Sequence, residues 1–188
     1  MLRREAVIAV GKISSPSREI VGHMISRLGD TDWNVRRHTV KVLGKMGKEA
    51  ELALPQLIEA LADAHLEVAH HAALTLGSIG EAARPAIPVL LDQLRNDHRN
   101  LRAVVTALAG IGAGSEEVIP ILIDYLHDSE PRVRYSALRS LRKFGPGAAT
   151  ALPVIRGLIN DENIYIQRAA RHAISRIAPQ LQASSAPQ

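Results

Sequence analysis

The segment "DTDWNVRRHTVKVLGKMG" (30–47) returns as "DAHLEVAHHAALTLGSIG" (63–80), "DSEPRVRYSALRSLRKFG" (128–145) and "DENIYIQRAARHAISRIA" (161–178), at steps of 33, 65 and 33 residues. The long step holds one more copy, "NDHRNLRAVVTALAGIG" (96–112), one residue short, and Leu2 through Gly11 repeats Val35 through Gly44. A second element precedes these copies: "ALPQLIEAL" (53–61), "AIPVLLDQL" (86–94), "VIPILIDYL" (118–126) and "ALPVIRGLI" (151–159). A unit this short cannot bury its apolar face alone. A chain built on this period stacks its units into a solenoid.

Both elements read as helices. Leu54, Leu57, Ile58 and Leu61 recur at helical spacing, and so do Val68, Ala72, Leu76 and Ile79. With one Trp, three Tyr and one Phe, the core is made of small aliphatic residues, which favours helix packing over strands. Pro55, Pro88, Pro120 and Pro153 are predicted to fall inside the first helix of each pair and to bend it. Gly44 with Gly47, and Gly77 with Gly80, are read as the stop of the second helix and the turn after it.

The Pro of the first helix, an Asp eight residues later, then Val-Arg and a closing Ala-Leu-Gly-x-Ile-Gly resemble the HEAT-repeat family in its short phycobilisome-lyase-like form. The resemblance covers about residues 2–178. It implies an all-α fold, a right-handed α-solenoid of stacked antiparallel helix pairs, with about five repeats plus a half repeat at the N-terminus. The second helices are expected near 2–12, 33–46, 66–78, 98–110, 131–143 and 164–177, within one solenoid over 1–178. Residues 179–188 read as a flexible C-terminal tail. The half repeat is expected to expose Leu2, Ala6, Val7 or Val10, as in a fragment or a docking end.

In that family the Asp and the Arg six residues later form a ladder of polar contacts between repeats. Asp30 with Arg36 and Asp128 with Arg134 keep the spacing. Ala69 and Gln167 replace the Arg after Asp63 and Asp161, and Asp97 with Arg102 is one residue short. The ladder is therefore expected to break at two or three steps.

No motif for catalysis emerges. Cysteine is absent, the glycines sit at helix ends rather than in a phosphate loop, and there is neither a nucleophile elbow nor an HExxH. The stretch "EVAHHAAL" (67–74) places Glu67 and His70 one helical turn apart, but two ligands do not make a metal site. The HEAT-like deoxyhypusine hydroxylase family carries His-Glu pairs on its second helices for two irons. Here His70 is followed by His71, and no copy pairs His with Glu, so that ligand set is missing. No catalytic residue, metal or cofactor is expected. "MLRREAVIAVGK" is broken by Glu5 and Lys12 and does not read as a secretion signal; no run is long enough for a membrane span. A soluble, cytoplasmic protein with no membrane partner is expected.

Charge placement is the informative feature. The six second helices hold 17 Lys or Arg against 2 acids, and the first helices 4 against 8. In a HEAT-like stack the second helices line the concave side, so positive charge gathers there. The expected partner-binding residues are Arg4, Arg37, Lys41, His70, Arg132, Tyr135, Arg139, Arg168 and His172. The leading reading is a non-catalytic scaffold for an acidic protein or peptide. The alternatives are a nucleic-acid-binding module, which the basic surface permits, and a bilin lyase-type subunit, which only the resemblance implies. Self-association or docking through the open N-terminal end is a further expectation.

Overall fold

The computed structural model describes residues 2–12, 18–97, 99–112 and 114–179. All of the expected tail but Pro179 lies outside them. The chain divides into two compact units, Met1–Ala113 and Gly114–Gln188. The first unit opens with α1 (Leu2–Val10) and continues with the pairs α2 (Arg18–Leu28) and α3 (Trp33–Met46), α4 (Leu54–Glu59) and α5 (Leu66–Ile79), α6 (Ile87–Asn96) and α7 (Leu101–Ile111). Within it α1 packs on α3, α3 on α5 and α5 on α7, and each second helix also rests on its own first helix. The second unit holds α8 (Ser115–Asp124) with α9 (Pro131–Phe144), and α10 (Leu152–Gly157) with α11 (Ile164–Ile177), with α9 packed on α11. Among the described residues every element is helical, in five pairs and a lone α1, the solenoid architecture expected from the period.

Val68, Ala72, Leu76 and Ile79 are all buried, as are Leu57 and Leu61. Leu54 and Ile58 lie half-buried at the edge of the stripe. Truncating Leu76 to Ala would cost about 2–5 kcal/mol. In α1, Leu2 and Ala6 are exposed, but Val7 is buried where α1 packs on α3 and does not belong with the exposed set.

The first helices are not continuous. Gly47–Ala53, Gly80–Ala86 and Gly145–Ala151 are 3₁₀ segments, and the α-helices α4, α6 and α10 begin only after them. Pro55, Pro88 and Pro153 therefore stand in the first turn of an α-helix, and only Pro120 lies within one. In a first turn the missing N–H has no intrahelical partner to lose and the fixed φ suits the helix. Three of the four prolines start helices rather than bend them.

The two glycines of each closing motif do different work. Gly47 and Gly80 have φ of 57° and 81° and end the second helix. Gly44 and Gly77 lie a turn earlier, where a Cβ would stand 2.7 Å from Thr75 Oγ1 and 2.8 Å from Ala107 Cα. They let successive second helices approach closely.

The recurring Asp turns the chain between the helices of a pair. Asp30, Asp63, Asp97, Asp128 and Asp161 each accept a hydrogen bond from the backbone N–H two residues on, at 2.7–2.9 Å. The ladder uses the same carboxylates. Arg36 donates from Nε and Nη2 to Asp63 at 2.6 and 2.9 Å, and from Nη1 to the Asp30 carbonyl at 2.8 Å. Arg134 repeats this in the second unit on Asp161 and the Asp128 carbonyl. Arg3 adds a rung to Asp30 that the six-residue spacing did not reveal. Burial works to raise the Asp63 carboxyl, but Arg36 and the His65 N–H outweigh it and hold it below the usual carboxylate range.

At Ala69 the rung lacks its arginine, and a cavity of about 150 Å³ lies there beside Asp63 and Asp97. The Asp97 carboxylate is gripped by Arg99 of its own loop, while Arg102 is exposed. Gln167 keeps half of the pattern by donating to the Asp161 carbonyl at 2.8 Å.

Candidate binding surfaces on the second helices

In the first unit Arg3, Arg4, Arg36 and Arg37 on the second helices are answered by acids. Arg4 donates to Glu5 at 2.7 Å. Arg37 Nη1 lies 2.6 Å from Glu67 Oε2, and its guanidinium stands over the Trp33 ring at 5.6 Å. Trp33 in turn stacks on His65 with centroids 4.8 Å apart. Arg37 therefore fastens α3 to α5. Its hydrogen bond to Glu67 holds that carboxyl below the usual range. Lys41 is exposed and His70 half-buried.

The histidine pair of "EVAHHAAL" meets edge to face, with ring centroids 5.3 Å apart. Glu67 is engaged by Arg37 rather than turned to a shared ligand. Among the described residues no three His, Asp or Glu side chains are grouped to hold a metal ion. Burial depresses the His71 pKa, the positive charge of His70, Lys41 and Arg37 lowers it further, and Glu67 opposes them.

The second unit differs. Tyr135, Arg139, Arg168 and His172, four of the expected residues, line one cavity of about 360 Å³ with Leu138, Arg142, Tyr165 and Ala169. Arg139 stands over the Tyr135 ring at 5.7 Å. Among the described residues Arg132, Arg139, Arg142 and Arg168 have no carboxylate within ion-pair distance, and no acid lines the cavity. Arg132 and Tyr135 also line a second cavity, of about 480 Å³, with Pro131, Ser136, Asn163, Tyr165 and Ile166. Tyr165 is two-thirds exposed.

Arg142 also belongs to this surface, although the expected set does not include it. Arg142 occupies the register of Gly44, as Leu141 and Gly145 occupy those of Leu43 and Gly47. A long cation where its counterparts carry a close-packing glycine is the signal that could have found it. Arg4, Arg37, Lys41 and His70 belong to the first unit; the other five expected residues line the two cavities of the second.

The family model of the HEAT repeats matches residues 1–65, 23–109 and 87–175. No protein of curated function matches the chain. Among solved structures, a designed armadillo repeat protein in complex with the peptide (KR)4 superposes with a TM-score of 0.61 at 18% identity, covering 92% of each chain. The CpcE–CpcF complex of phycocyanin lyase from Nostoc sp. PCC7120 gives 0.58 at 24% identity, over 94% of this chain and 71% of that one. The Cnd3–Cnd2 subcomplex of S. pombe condensin gives 0.63 at 16%, over 97% of this chain and 28% of that one. No described helix is long and apolar enough to cross a membrane.

Proposed function

The chain belongs to the HEAT-repeat family, and from that premise we propose that it is a scaffold that docks an acidic protein segment on the second-helix face of its second unit. The observation that carries the reading is the cavity between Arg139, Arg142, Arg168 and His172, which no acid among the described residues neutralises. Cations grouped without counterions favour an anionic partner, and guanidinium forks bind carboxylates in pairs of hydrogen bonds. A designed neighbour holds the basic peptide (KR)4; the cationic lining here would repel such a peptide. A protein segment fits better than nucleic acid because the described cationic cluster is confined to two helices with two tyrosines. A strand of phosphates calls for a longer basic track.

Anisotropy titration of a labelled ten-residue Asp/Glu-rich peptide into the full chain tests this. Arg139→Glu with Arg168→Glu is expected to weaken binding by at least about tenfold, since each reversal turns attraction into repulsion. Lys41→Glu in the first unit is expected to change it less than about twofold. Equal loss from both variants would remove the second unit as the site. A single-stranded oligonucleotide that outcompetes the peptide would replace the reading with nucleic-acid binding.

A further inference from the structure

The two cavities of the second unit share two walls. Tyr135 on α9 and Tyr165 on α11 line both. One cavity adds Arg139, Arg142, Arg168 and His172 to them. The other adds Pro131, Ser136 and Ile166, with Arg132 and Asn163 at the helix starts. One groove between α9 and α11 is thus cationic at one end and largely apolar at the other.

We propose that this groove reads a mixed motif: an anionic side chain placed in the cationic cavity and an apolar side chain of the same segment placed in the Pro131–Ile166 cavity. The inference rests on the acidic-segment reading and adds a second determinant to it. Charge complementarity commits the occupant to a protein segment of acidic character. A purely acidic chain would leave the apolar cavity wet and both tyrosine faces half used. An aliphatic or aromatic side chain covers them, and buried aromatic contacts are where binding energy concentrates in interfaces. The cationic end accepts a carboxylate or a phosphate by the same fork geometry, so an acidic residue and a phosphorylated one are two sources of one chemistry.

The test compares three sets of labelled ten-residue peptides on the full chain. One is acidic with serine at the remaining positions. The second series carries a single leucine scanned through those positions, and the third replaces the acids next to that leucine by phosphoserine. At least one leucine position is expected to bind about tenfold tighter than the serine parent. Ser136 lines only the apolar cavity. Ser136→Gln is therefore expected to erase the leucine gain and leave parent affinity unchanged. Arg139→Glu with Arg168→Glu is expected to weaken every peptide. A leucine gain under about twofold at all positions, or one that Ser136→Gln leaves intact, overturns the mixed motif while the acidic reading stands. Absence of binding by every peptide overturns both. Tighter binding of the phosphoserine series supports the motif and identifies phosphate as its anion.

Discussion

The helix pairs α3–α5 and α9–α11 sit 98 residues apart in register, as Asp30 and Asp128 do, and share the ladder arginine while differing at the positions that decide how their charge is met. Where α3 and α5 carry Arg37 and Glu67, α9 and α11 carry Tyr135 and Tyr165. The ion pair of the first unit is thus replaced by two rings that cannot neutralise their neighbours. Where α3 carries Gly44 under Thr75, α9 carries Arg142. Thr75 and Ser78 donate to the Val40 and Gly44 carbonyls, so α5 is tied to α3 by side-chain hydrogen bonds as well as by packing. The α9–α11 pair holds a cavity of about 360 Å³ instead. One scaffold therefore carries two kinds of pair: a largely self-satisfied one, in which Arg36 and Arg37 meet acids although Lys41 does not, and an open one whose Arg139, Arg142 and Arg168 meet no carboxylate among the described residues.

The largest expected effect concerns what the pairs share. Arg36→Ala would leave Asp63 charged and nearly buried, and Arg134→Ala would do the same to Asp161, whose side chains are 9% and 8% exposed. Removing one partner of such a pair costs about 3 kcal/mol, because the remaining charge is uncompensated. Urea unfolding should show similar losses for both variants. A loss at Arg36 alone would break the premise that the ladder works alike in both units.

Next comes the contrast itself. Gly77→Ala places a Cβ 2.8 Å from the Ala107 backbone, which cannot give way as a side chain could. Alanine's helix preference of about 1 kcal/mol works in the other direction. Overpacking against main chain outweighs it, and a net loss of about 1–2 kcal/mol is expected from the urea midpoint. Arg142→Ala lies in the Gly44 register of the open pair and should change stability by no more than about 0.5 kcal/mol. Equal losses would mean that the open pair is as tightly keyed as the closed one.

Sequence reading reached the fold because the period is written in local chemistry. The helical spacing of Val68, Ala72, Leu76 and Ile79 and the returning Asp are visible without any partner. It reached the pairing of the second-helix cations less well. Arg37 and Arg139 look alike as cations on second helices, yet one meets Glu67 thirty residues away and the other meets no acid among the described residues. That difference depends on which residue of the next helix lies opposite, which composition does not record. The prolines misled for a related reason. A Pro in an apolar helical stripe reads as interior, and only the 3₁₀ segment before it makes it a first-turn residue.

The smallest expected effect separates the units by pH. His71 in the first unit has no counterpart in the second, where Ala169 occupies its register. Burial, then the charges of His70, Lys41 and Arg37, press its folded pKa below the ordinary value, with Glu67 opposing. An unfolded histidine takes up its proton near pH 6.5. As pH falls through and beneath that value, the unfolded chain binds a proton that the folded chain refuses, so stability declines until the folded pKa is reached. Urea midpoints at pH 7.5 and 5.5 should therefore fall less for His71→Gln than for the native chain. An identical fall in both would mean that the first unit holds His71 without disfavouring its charge, and that its self-satisfied character does not extend to this residue.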